Sequence, residues 1–247
     1  MIHDQHHHQQ PRPFVSIFVN HIKPGNAEIC RKTYTAVETT SRLEPGLISY
    51  QWHIPFDVKI TTVESLTRIP LMLRIEFETS RHMDHYLFRR PYVAEAAASL
   101  DPFLEAHFLT IWENASPTRG TEDISHQHPE PDGNFTSVTK RLCKPEHREK
   151  FHEMLLQLSE IRREHEGNLS YYIHVSLDPH TPNNFLEYGV WDSLDSYDAH
   201  FETDDGRLSR VLAALRDHQV EPSRTRFWKF FEFGECQTET GEFKAPN

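Results

Sequence analysis

Two histidines, His53 and His174, each close the same short segment: GLISYQWH at residues 46–53 and GNLSYYIH at residues 167–174. The unperturbed pKa of imidazole lies near neutrality, so either ring could take up or release a proton under ordinary conditions. Further along, EYGVWDSLDSYDAHF brings Trp191, Tyr197 and His200 into one short stretch. Held together, the histidine and the phenol could exchange protons beside the flat wall that the indole supplies. Core histidines with satisfied hydrogen bonds, and aromatics that simply fill a core, account for the same spacing, which leaves both readings open.

The elements that would position these residues can be read from their periods. Side chains alternate along a strand, so Ser49, Gln51 and His53 share one face, and Ser170, Tyr172 and His174 share the matching face in the second copy. If Asp192 or Ser193 caps a helix, Tyr197 and His200 fall one turn apart on it. The likeness between the copies extends well beyond the histidines. FVSIFVNHIKPGNAE from Phe14 aligns with FTSVTKRLCKPEHRE from Phe135 at the same offset of 121. The offset falls to 114 where LMLRIEF (71–77) meets FLEYGVW (185–191), as an internal duplication with one loop insertion requires.

Each copy runs through the same order. An alternating strand such as Val15, Ile17 and Val19 leads through Lys-Pro into a helix, whose apolar stripe in the second copy is Phe151, Met154, Leu155, Leu158 and Ile161. Gly46 and Gly167 end those helices, two strands follow, then short helical stretches, then an aromatic strand (HFLTIWE or RFWKFFEF). The fold class is α+β, two tandem ferredoxin-like β-α-β-β-α-β units at 14–113 and 135–233. Residues 114–134, rich in Pro, Gly, Ser and charge, read as a linker, with His126 and His128 as solvated linker residues. Helices on one side leave each sheet with a bare apolar face, so the two sheets are expected to pack face to face in an intrachain pseudo-twofold α+β barrel.

Composition narrows the function classes. A net charge of −11 without a basic stripe argues against a nucleic-acid partner. The sequence has no apolar run long enough for a membrane span and no signal-peptide pattern at its start, so a soluble, cytoplasmic protein is expected. Cys30, Cys143 and Cys236 lie far apart without metal-ligand spacing, and His6, His7 and His8 read as part of a polar N-terminus, so no metal site is expected.

Element order and motifs together resemble the antibiotic biosynthesis monooxygenase (ABM) superfamily of dimeric α+β barrels. The residues that carry the likeness are the Gly-x-x-x-x-x-x-His strand, the Trp-Asp-Ser turn at Trp191 and the histidine nine residues after that Trp. The resemblance implies a cofactor-independent monooxygenase that converts an anthrone-like or naphthol-like aromatic polyketide to a quinone with O₂ in secondary metabolism. It implies catalytic roles for His174, His200 and Tyr197, with His174 or His200 as base. Trp191, Tyr172, Glu187, Arg207, Arg210 and His53 would contact substrate, although Glu187 stands where the quinone-forming members keep an Asn. The first copy departs further, with Phe77, Met83 and Tyr86 at the positions of Trp191, Tyr197 and His200, and reads as a structural half in preference to a second, altered site. The alternatives are a non-oxidative cyclase, isomerase or lyase using the same pocket, and a non-catalytic binding protein; a homodimer of the tandem chain stays open. A haem-degrading role is disfavoured, because the ligand histidine of such members would fall near Arg210.

Overall fold

The computed structural model describes residues 12–116, 135–203 and 205–233. His6 to His8, most of the linker with His126 and His128, and Cys236 lie outside the described residues. In the first unit β1 (Phe14–Ile22), α1 (Ala27–Ser41), β2 (Leu47–Pro55), β3 (Pro70–Phe77), α2 (Ser80–Arg89), α3 (Pro91–Leu100) and β4 (Leu104–Asn114) follow in order. The second repeats it with β5 (Phe135–Leu142), α4 (Arg148–Glu164), β6 (Asn168–Ser176), β7 (Asn184–Trp191), α5 (Leu194–Glu202), α6 (Arg207–His218) and β8 (Arg224–Phe231). No helix among the described residues is long and apolar enough to cross a membrane.

All eight strands form one closed antiparallel barrel in the order β1-β3-β2-β8-β5-β7-β6-β4. Each unit therefore supplies a four-stranded sheet, β4-β1-β3-β2 or β8-β5-β7-β6, and the two join edge to edge. β2 pairs with β8 over Trp52–Pro55, and β4 pairs with β6 over Trp112–Asn114. The sheets were expected to cover each other's faces; the structure adds backbone pairing along both seams, which also removes free strand edges there. The repeated histidine marks these seams, with His53 opposite Phe230 and His174 opposite Asn114.

Two recurring sequence features have local causes. Gly46 and Gly167 hold positive φ of 71° and 80°, and a Cβ on either would strike the next unit of structure: the His82 ring at 1.9 Å in one case, Ser196 at 2.3 Å in the other. Only glycine lets the chain turn there while α2 or α5 packs against it. The lysine of each Lys-Pro turn reaches across to the chain entering the last strand. Lys23 Nζ donates to the Pro102 carbonyl at 2.8 Å and Lys144 Nζ to the Asp217 carbonyl at 2.9 Å. The linker begins later than its composition suggests. Asn114, Ala115 and Ser116 are buried, and the Ser116 hydroxyl accepts from the Ile173 amide at 2.6 Å.

Candidate active site

Strand alternation divides the side chains between the barrel interior and the helix-covered outside. The interior holds Val15, Ile17, Met72, Trp112, Leu186 and Trp228, and the face of β2 and β6 that carries the histidines points there. His53 and His174 are both fully buried. His53 Nε2 lies 2.9 Å from the Tyr188 hydroxyl, and the His174 ring meets the Tyr188 ring edge-on at 6.4 Å. Arg74 stacks its guanidinium 4.5 Å over Tyr188 and donates to Ser49 at 3.0 Å and Glu76 at 2.9 Å. Tyr172 lies on the same face, 6.3 Å from His174. Burial, and secondarily the Arg74 charge, push each imidazole down to about 3.

This placement corrects the expected grouping. His174, Tyr172 and His53 are one sheet thickness away from Trp191, Tyr197 and His200, because residue 174 and residue 191 alternate to opposite faces. A wall of backbone separates the proposed base from the proposed aromatic platform. Both rings are equally enclosed, and neither is among the residues that line the two cavities described below.

Trp191, Tyr197 and His200 do come together, on the helix side of the second sheet. Ser193 caps α5 by accepting from the Ser196 amide at 3.1 Å, which sets Tyr197 and His200 on the inner face. The Trp191 ring lies 5.3 Å from Tyr197 and 4.8 Å from His200, and its Nε1 donates to Ser137 at 3.2 Å. His200 Nδ1 is bonded to the Tyr197 carbonyl, which makes Nδ1 the protonated nitrogen of the neutral ring.

Glu187 stands on the same side and is fully enclosed. It accepts from Arg141 and Tyr171, and Arg162 lies 3.8 Å away. Burial alone would raise its pKa, but the two guanidiniums outweigh burial and hold the carboxyl below its ordinary value. Arg162 donates to the Tyr171 hydroxyl at 2.7 Å, and Arg141 to Gln219 at 2.7 Å and Ser223 at 3.3 Å. Both arginines face a cavity of about 640 Å³ shared with Tyr197, Phe201, Gln219 and Ser223. Two buried cations against one buried carboxylate leave this cavity with a positive floor, while Arg216 and Glu221 at its rim offset one another.

Arg207 and Arg210, expected near the substrate, stand outside this space. Arg207 is exposed and paired with Glu164 at 2.9 Å and Asp205 at 2.8 Å, and both arginines border a shallow surface hollow with Met154 and Gln157. The buried arginines were the ones missed, and the sequence carried a signal for each. Arg162 extends the apolar stripe Phe151, Leu155, Leu158 of α4, and Arg141 continues the inward alternation Phe135, Ser137, Thr139 of β5.

The same space in the first unit has a different lining. Asn20, Ser41 and Leu73 occupy the positions of Arg141, Arg162 and Glu187. The cavity there measures about 500 Å³ and is walled by Phe18, Tyr34, Tyr50, Trp52, Leu73 and Tyr86.

Fold and site define a tandem ferredoxin-like α+β barrel in which the described residues of each half enclose a cavity between helices and sheet. Residues 135–207 match the family model of antibiotic biosynthesis monooxygenase, and the second unit belongs to that superfamily. No curated protein matches the sequence. Among solved structures, a candidate monooxygenase from Fusobacterium nucleatum subsp. nucleatum covers 90% of this chain and 93% of its own, at 13% identity and a TM-score of 0.67. One from Lactobacillus acidophilus covers 89% and 94% at 10% identity and 0.62. An anthrone oxidase-like protein covers 92% and 96% at 10% identity and 0.60. At these identities the likeness is one of fold, and it spans both units. The family membership supports monooxygenase function in general terms.

Proposed function

We propose that the second unit oxidises a planar phenol-like or anthrone-like aromatic of polyketide type to a quinone with O₂ and without a bound cofactor. The observation that carries this reading is the positive floor of its cavity, Arg141 and Arg162 around the single carboxylate of Glu187. An enclosed positive charge favours the ionised form of an acidic phenol or enol, and the anion is the form that can give an electron to oxygen. The substrate CH₂ loses a proton to solvent at the cavity mouth, the anion passes one electron to O₂, and the pair recombines as a carbon hydroperoxide. Loss of water from CH–OOH leaves the carbonyl, so CH₂ and O₂ become C=O and H₂O with no external reductant. Arg141 and Arg162 hold the anion, Tyr197 donates to the peroxide oxygen, and Phe201 packs against the rings. His200 is a positioning residue, fixing Tyr197 through its backbone carbonyl and ring contact.

Oxygen uptake by metal-stripped protein given anthrone tests this, with one O₂ consumed per anthrone expected. Tyr197→Phe and Arg162→Ser should each lower kcat by about 100-fold or more. His200→Gln, which keeps a donor towards the Tyr197 carbonyl, should retain most of the kcat that His200→Ala loses, with KM similar in both. No uptake with reduced polycyclic phenols would overturn the oxidative reading in favour of a non-oxidative cyclase, isomerase or lyase in the same cavity. Tolerance of every substitution without any turnover would point to a binding protein.

A further inference from the structure

The two seams of the barrel leave unequal strand edges. β4 pairs with β6 only over residues 112–114, and β8 with β2 only over 228–231. Among the described residues, the first part of each strand, 104–110 in β4 and 224–226 in β8, therefore has a strand partner on one side alone. The two edges can be matched through Val15 and Thr136, which hold the same place in the duplication and face Trp112 and Trp228. Counting back, Phe108, Leu109 and Thr110 answer to Arg224, Thr225 and Arg226. One further bond agrees with that match: the Leu177 amide donates to the Ile111 carbonyl at 3.1 Å, as the Phe56 amide donates to the Phe227 carbonyl at 3.0 Å.

Arginines on an edge strand discourage another strand from adding to it. β4 has no such guard. Phe108 and Leu109 are 60% and 41% exposed, and Leu177 is 40% exposed, whereas its counterpart Phe56 packs 5.3 Å from Phe135. Beyond Leu177 the chain closes at once into a turn, the Asp178 amide donating to the Ser176 hydroxyl at 3.2 Å and the Thr181 amide to the Asp178 carbonyl at 2.9 Å. Phe108 stands opposite Val19 on the barrel-interior face, and Leu109 opposite Phe18 on the helix face. Apolar groups exposed on both faces of one edge are covered best by another strand in the plane of the sheet, since a helix laid on one face would reach only half of them. The backbone is set for it. Ile111 accepts across the seam and Ala115 donates across it, so by the strand's period of two the N–H and C=O groups of His107 and Leu109 turn outward.

We infer that this edge is an interface between two copies of the chain, which pair antiparallel through β4 with Phe108 opposite its own copy. The arrangement is self-complementary, as a twofold interface requires. His107 then exchanges both backbone hydrogen bonds with the partner's Leu109, and the two Phe108 rings meet at a close, non-hydrogen-bonded position where aromatic pairs stabilise a sheet. Residues 106–111 carry no Asp, Glu, Lys or Arg, so the contact opposes no like charges although the chain has a net charge of −11. The same arrangement on β8 would set Arg224 against the partner's Arg226.

Sedimentation equilibrium of the full chain between about 1 and 200 µM, a range that brackets the affinity of small interfaces, should show a reversible monomer–dimer equilibrium. Phe108→Arg installs the residue that β8 carries at this place and should weaken the dimer by about tenfold or more. Leu43→Arg, at an exposed leucine after α1, should leave it unchanged. Phe108→Cys in a Cys236→Ser background should give a disulfide-linked dimer on mild oxidation, because directly opposed residues of such a pair lie about 4.5 Å apart at Cα. A chain that stays monomeric across the range overturns the inference. So does a dimer that Phe108→Arg leaves unchanged, or one that Phe108→Cys fails to link.

Discussion

The two halves share a frame and differ in electrostatics. Both have the glycine turn, the bridging lysine, the capped helix after β3 or β7 and the buried histidine at a seam. Where the second half buries Arg141, Arg162 and Glu187, the first has Asn20, Ser41 and Leu73. What the copies keep in common supports the barrel, and what has diverged lines the cavities. Buried ion networks contribute little net stability compared with apolar packing of the same volume, so the second half has no structural need of its arginines.

That comparison can be broken most forcefully at Glu187. Glu187→Leu alone strands two guanidiniums in a closed space and should cost about 3–5 kcal/mol in denaturant unfolding. Adding Arg141→Asn and Arg162→Ser rebuilds the first unit's chemistry on the second unit's frame. Stability should then return to within about 2 kcal/mol of the parent, while anthrone-dependent oxygen uptake falls by about 100-fold or more. A triple variant as unstable as the single one would show that the network is there to hold the fold.

The element order, the duplication and the barrel were all legible in the chain, because strand and helix periods and turn residues are local signals. The division of site residues was legible only in part. Alternation correctly put Ser170, Tyr172 and His174 on one face, but nothing local states which face meets the helices. The faces of β6 and β7 had to be registered against each other before His174 and Trp191 could be seen to point apart. Arg207 attracted attention by its place on a helix, yet its charge is spent on Glu164 and Asp205 in solvent. Arg162 escaped because it lies where an apolar residue would have completed the stripe.

The barrel interior is where the halves behave alike, and pH can expose it. A histidine titrates near 6.5 when unfolded, whereas His53 and His174 titrate at about 3 when folded. Between those values the unfolded chain binds more protons, so the stability these neutral rings provide is complete above 6.5 and declines as the pH drops towards 3. Each contributes a slope of about 1.4 kcal/mol per pH unit in that window. His53→Gln and His174→Gln should each remove roughly one such increment from the acid-unfolding profile. Neither should lower oxygen uptake per folded molecule at pH 7, in contrast with Tyr197→Phe. Unequal slopes would mean that one seam opens to solvent before the other.

Smaller effects separate shared frame from local accident. Gly46→Ala and Gly167→Ala combine positive φ with a collision against α2 or α5 and should each cost about 2–3 kcal/mol in thermal unfolding. Gly25→Ala, with a φ of 80° but open space around it, should cost about 1 kcal/mol.

The smallest expected effect is at the bridging lysines, and it should be unequal. Lys144 meets the Asp217 carbonyl at the end of the twelve-residue helix α6, where aligned peptide dipoles concentrate negative charge. Lys23 meets Pro102 in a single 3₁₀ turn after α3, where few dipoles are aligned. Lys144→Met should therefore cost about 0.5–1 kcal/mol at low ionic strength, and Lys23→Met only about 0.3 kcal/mol. Raising the salt concentration should shrink the larger loss towards the smaller one as screening sets in. If both lysines cost the same at every ionic strength, the helix end adds nothing beyond the hydrogen bond itself, and the two turns are equivalent in energy as well as in sequence.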